Sequence, residues 1–110
     1  MMTGNRAVVA LSGELDAATC DRIGTELDAL TSAPGSELLV DLREVTFADC
    51  TGLSPLLRAQ RRARARGGRV CLLCDCPRLL RTLRLVRLDV EFDIYGEVPV
   101  RYAETTRFPV

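Results

Sequence analysis

Residues 48–53, Ala48-Asp49-Cys50-Thr51-Gly52-Leu53 or ADCTGL, decide how this 110-residue chain folds. Upstream stands ELLVDLREVTF (residues 37–47), an apolar run interrupted at Arg43-Glu44, and downstream stands LSPLLRAQRRARARGG (residues 53–68). The first reads as a buried strand. In the second, Leu53, Leu56, Ala59 and Ala63 share one helical face, with Gln60 inside that face and Arg58, Arg61, Arg62 and Arg66 fanned over the other side. ADCTGL is therefore the joint between a strand and a helix. An acid, a thiol, a hydroxyl and a glycine at such a joint are compatible with a nucleophile, a metal ligand set, a modified hydroxyl or a plain helix cap.

The same alternation continues outward. Residues 6–15 contain AVVAL, a strand closed by Ser12-Gly13; Asp16 stands where an N-cap belongs, and Cys20, Ile23, Leu27 and Leu30 predict a helix over residues 17–31. SAPGS (residues 32–36) ends it. Past Gly67-Gly68, residues 69–74 read as a third strand, and Pro77 opens a third helix with Leu79, Leu80, Leu83 and Val86 as its buried stripe. Val90, Phe92 and Ile94 alternate, which predicts a last strand over residues 90–95. Strand and helix in strict alternation imply an α/β fold, a mostly parallel sheet of four or five strands covered by helices. Residues 97–110 read as a short helix or an irregular tail.

Length and a 47% apolar composition suit one domain spanning residues 1–110. Net charge is zero although all basic residues are arginine, so no global field draws the chain to nucleic acid or an anionic membrane. The N-terminus lacks the pattern of a secretory signal and no apolar run spans a bilayer, which implies a cytoplasmic protein. Five cysteines, an odd number, suit reduced thiols.

In an open parallel sheet, binding sites gather at the carboxyl ends of the strands. Two loops qualify, residues 13–17 and residues 48–53. Thr51 sits at a helix N-terminus beside Gly52, a residue that admits close approach of another molecule's backbone. A phosphate on Thr51 would be stabilised by free helix N–H groups and the macrodipole, so it would act on a docked partner and leave the fold intact. From the local pattern alone, Asp49 and Thr51 read as ordinary helix caps. CLLCDC (Cys71, Cys74, Cys76) resembles a metal ligand set, yet its first two thiols fall in a buried strand where they behave as small hydrophobes. Cys50 is the thiol most exposed to reaction, but a chain without histidine lacks the usual base for a cysteine nucleophile and for any hydrolase triad. The arginines of residues 58–69 lack interleaved aromatics and read as a solvated helix face. No nucleic acid, metal or cofactor is called for.

Taken together, LSGELDAAT (residues 11–19), LLVDLREVTFADCTGL (residues 38–53) and RVCLLCDCPRLLRTLRLVRLDVEFDIY (residues 69–95) resemble the STAS family of bacterial anti-sigma factor antagonists over residues 7–96. In that resemblance Asp49 matches the family's aspartate, Cys50 its first hydroxyl residue, Thr51 the phosphorylated position, and Gly52-Leu53 its Gly-Leu pair. It implies a non-catalytic partner-switching regulator: unphosphorylated, it binds a GHKL-type serine/threonine kinase that is also an anti-sigma factor, and phosphorylation at Thr51 releases it. Asp16, Asp49, Cys50, Gly52, Leu53, Ser54 and Arg58 are then the expected partner-binding residues. The alternative is a STAS module that binds a nucleotide or small anion, or a scaffold subunit, without phospho-switching. The chain departs from the family at Cys50, in residues 1–5, which are short for the additional strand that family members commonly carry before the first, and in residues 97–110, where the family usually carries an amphipathic helix.

Overall fold

The computed structural model describes residues 6–103, 105 and 107–109. Five strands, β1 (Arg6–Leu15), β2 (Glu37–Ala48), β3 (Arg69–Leu73), β4 (Ile94–Tyr95) and β5 (Arg107–Pro109), form one sheet in the order β4-β3-β2-β1-β5. Every pairing in it is parallel. Three helices, α1 (Cys20–Leu30), α2 (Cys50–Ala65) and α3 (Pro77–Leu85), connect the first four strands.

All three helices pack on one face. Val9, Leu11, Leu38, Val40, Val70 and Leu72 point toward it and join Ile23, Leu27, Leu56, Leu83 and Leu88 in one core. Their strand neighbours Val8, Leu39, Cys71 and Leu73 point the other way, as strand alternation requires, and meet Tyr102, Tyr95 and Val98. The expected cover of helices is thus one-sided. The opposite face is closed by the C-terminal segment, which forms a 3-10 turn at Val100–Tyr102 and then β5. The short helix expected here is thus a single 3-10 turn packed on the sheet, and the edge beside β1 is filled by β5 from the far end of the chain.

Two expectations change on the β3–β4 side. Residues 88–90 form a 3-10 turn after Arg87, which adopts a left-handed conformation at φ 64°, and only Ile94–Tyr95 pairs as strand. Val90 is consequently exposed while Leu88 and Phe92 are buried. Buried Gln60 holds this turn in place: its amide nitrogen donates to the carbonyls of Val70 (2.9 Å) and Glu91 (2.7 Å), and its oxygen accepts from the Val70 N–H (2.8 Å). An amide on the apolar face of α2 is tolerated because both ends of its side chain are satisfied.

β2 runs past β3. Pairing with β3 stops at Asp41↔Leu73, and from Leu42 to Ala48 the strand pairs only with β1, with register shifts between Ala10 and Ser12 and between Gly13 and Glu14. The polar interruption at Arg43-Glu44 is the first of these irregularities. Buried Asp41 accepts from the Arg43 backbone N–H and from its guanidinium at 2.9–3.0 Å, which ties the bulged backbone down.

Candidate functional site at the strand termini

The start of α2 is built by Asp49. Its backbone is extended, its side chain accepts from the Gly52 N–H at 2.9 Å, and its carbonyl accepts from the Leu53 N–H at 2.9 Å, so the cap reading of the acid is correct. Thr51 then lies in the first turn, exposed, and its side chain makes no hydrogen bond among the described residues. Pro55 lacks the N–H that would have bonded the Thr51 carbonyl. Ser54 Oγ donates to that carbonyl at 2.8 Å, so the proline is accommodated inside the helix without an orphaned acceptor.

The two loops meet through the backbone. The Asp49 N–H donates to the Leu15 carbonyl at 3.1 Å, and a Cβ at Gly52 would overlap Leu15 O, Leu15 C and Asp16 N. Gly52 therefore serves approach by the chain's own β1–α1 loop and not by another molecule. Asp16 caps a turn in that loop, accepting from the N–H groups of Ala18 (3.0 Å) and Thr19 (3.2 Å). The helix itself begins later than expected, at Cys20 with Thr19 as its N-cap.

Of the expected partner-binding residues, Cys50, Ser54 and Arg58 are exposed and Asp16 and Asp49 half-buried. Gly52 and Leu53 are buried, and Leu53 is part of the core. Arg58 leaves the α2 axis and reaches across α1, its Nη2 lying over Gly24, where the missing side chain makes room for it. Leu53, Leu57, Val86 and Leu88 with Cys50 and Ser54 line a shallow apolar pocket of about 210 Å³ directly beside the turn that carries Thr51. Leu57, Val86 and Leu88 escaped sequence reasoning because only tertiary packing sets the end of α3 against the start of α2.

Of the other thiols, two are core residues. Cys71 and Cys74 lie in the cores on opposite faces of the sheet, and burial pushes both thiols up from their ordinary range. Among the described residues no group of three or more Cys, Asp or Glu side chains is placed to hold a metal ion, and no helix is long and apolar enough to cross a membrane.

A family model described as Mlab, STAS domain, matches residues 1–96. The chain belongs to the STAS domain family. Among solved structures, this STAS domain is similar to an anti-sigma factor antagonist from Mycobacterium paratuberculosis, at 26% identity and TM-score 0.71 over 84% of this chain and 80% of that one. The unphosphorylated form of the anti-sigma factor antagonist SpoIIAA matches at 20% identity and TM-score 0.64, covering 94% and 89% of the two chains, a likeness of fold alone. The STAS domain of a SulP transporter from Vibrio cholerae matches at 25% identity and TM-score 0.62, covering 87% and 77%. No curated protein sequence matches the chain.

Proposed function

We propose that this STAS domain is an anti-sigma factor antagonist that binds an anti-sigma factor kinase of the GHKL serine/threonine type when unphosphorylated and is released by phosphorylation at Thr51. The observation that carries the reading is the exposed Thr51 hydroxyl on the first turn of α2, hydrogen-bonded to no side chain among the described residues, with the apolar pocket of Cys50, Leu53 and Leu57 beside it. A phosphate there meets the free N–H groups of the helix start, while any partner covering the pocket meets a dianion that resists desolvation. The domain's part is regulatory and not catalytic. Incubation with the cognate kinase and ATP, followed by mass spectrometry, tests it: a phosphate on Thr51 that disrupts the complex is the expected result, and modification elsewhere overturns the assignment.

The likeness to a SulP transporter domain supports a second reading, a STAS module docked in a larger assembly without phospho-switching. Its signature is a partner complex indifferent to both Thr51→Glu and kinase treatment.

A further inference from the structure

α3 and the residues that follow it carry Arg78, Arg81, Arg84 and Arg87 at intervals of three, and residues 77–88 include no acid. All four are exposed. Arg6, Arg43, Arg62, Arg64, Arg69 and Arg101 each have a carboxylate partner, whereas these four side chains, like those of Arg22, Arg58, Arg61 and Arg66, make no ion pair or hydrogen bond among the described residues. Asp75 and Asp89 flank the row without closing on it. In a chain of zero net charge, this is a local excess of positive charge that the fold leaves unanswered.

Beside the row runs a groove of about 520 Å³, with Val45, Phe47 and Ala48 on one wall and Arg78, Leu79 and Thr82 on the other. Phe47 is 51% exposed, a large apolar side chain on a strand that is otherwise half-covered. The strand edge is open as well, since among the described residues β2 beyond Leu42 has β1 on one side and no strand on the other. Unpaired strand backbone, an apolar slot and a row of guanidinium groups ask for different things, and one ligand supplies them all. An extended peptide offers backbone groups to the edge, an apolar side chain to the slot and carboxylates to the arginines. A nucleic acid or a lipid headgroup answers only the charge.

We propose that α3 and the open edge of β2 form a second docking surface, which takes an extended acidic segment of a protein partner. It does not depend on modification of Thr51, so it stands or falls separately from the phospho-switch. A random-peptide phage library panned on the whole domain tests it. Enriched sequences carry an acidic excess around an apolar residue. The best of them, labelled and titrated by fluorescence anisotropy, weakens by about tenfold or more with Arg78→Glu/Arg81→Glu, loses affinity steeply with salt, and is unchanged by Thr51→Ala or by the α1 control Arg22→Glu. In 15N–1H spectra its resonance shifts fall on Phe47, Leu79 and Thr82. The proposal is overturned if nothing is enriched, if enriched sequences have no acidic excess, if the shifts fall instead on residues 49–54, or if an RNA oligonucleotide or phosphatidylglycerol vesicles bind the row while no peptide does. Circular dichroism on the exposed-site variants separates lost binding from lost fold.

Discussion

At the scale of single residues, two glycines make opposite demands. A Cβ on Gly52 runs into Leu15 O, Leu15 C and Asp16 N, which are backbone atoms at the end of a buried strand and cannot retreat. A Cβ on Gly24 meets mainly the tip of the Arg58 side chain, which can swing into solvent. Gly52→Ala should therefore destabilise the domain by about 3 kcal/mol or more, while Gly24→Ala should be neutral or stabilise by up to about 1 kcal/mol because α1 gains a better helix former. Urea titration of the pair checks both, and a mild Gly52→Ala would show that the β1–α1 loop yields after all. Gln60 supports a second residue-scale prediction. Gln60→Leu keeps the volume but leaves the Val70 N–H and carbonyl without their partner, while the Glu91 carbonyl keeps only the Arg64 guanidinium, a loss of about 2–4 kcal/mol in the same measurement.

At the scale of elements, α2 is a helix whose start is fixed from outside itself. Asp49 caps it, the Leu15 carbonyl anchors the capping residue, and Ser54 covers the carbonyl that Pro55 leaves free. Because the cap and the anchor are independent of the Thr51 side chain, Thr51→Glu should alter stability by less than about 0.5 kcal/mol, while Asp49→Ala should cost about 1 kcal/mol. Thermal melts of the two variants distinguish a tolerant position from a structural one. Farther along, α2 is tied to α1 by the Arg62–Asp28 ion pair at 3.3 Å and by Arg58 lying over Gly24. Arg58 thus places its charge above α1. If the partner covers the switch end, Arg58→Ala slows association and flattens its salt dependence more than Arg66→Ala does, and equal small effects at low and moderate salt remove Arg58 from the interface.

At the scale of the molecule, the sheet has two unlike sides. One is packed by three helices, and the other rests on a short strap centred on Tyr102, over whose ring the Arg101 guanidinium lies at 5.0 Å. Arg101 also pairs with Glu37, which Arg6 and Arg69 approach from the starts of β1 and β3. Burial, with the Cys71 and Glu37 charges adding, pushes the Tyr102 phenol up to about 12, against the opposing effect of Arg101. A phenol that titrates near 10 when unfolded and near 12 when folded contributes no pH dependence below 10, and its stabilisation is lost as pH rises from about 10 to about 12. Cys71 and Cys74, raised by burial, act in the same direction. Stability followed by fluorescence or circular dichroism from neutral pH upward should fall across that window by up to about 3 kcal/mol from the phenol, and Tyr102→Phe should flatten its share while changing neutral stability by less than about 1.5 kcal/mol. A wild-type slope identical to that of Tyr102→Phe would mean that the strap opens before the phenol ionises.

The alternating pattern by itself determined the α/β class, the parallel strands β1 to β3, the start of α3 at Pro77 and the Asp49 cap, because each depends on side-chain period or on chemistry within one turn. The joint at Asp49 to Ser54 was legible for the same reason: a cap and the hydroxyl after it are neighbours in the chain. Only the tertiary structure decided that Gly52 faces the chain's own backbone, that Leu53 is core and that Leu57, Val86 and Leu88 form the pocket beside Thr51. Tertiary structure also decided that residues 88–90 turn instead of pairing and that the C-terminal strap closes the face the helices leave bare. An apolar period says that a face must be buried. Which segment buries it depends on strand order and on where the intervening chain can reach, and no local window contains either.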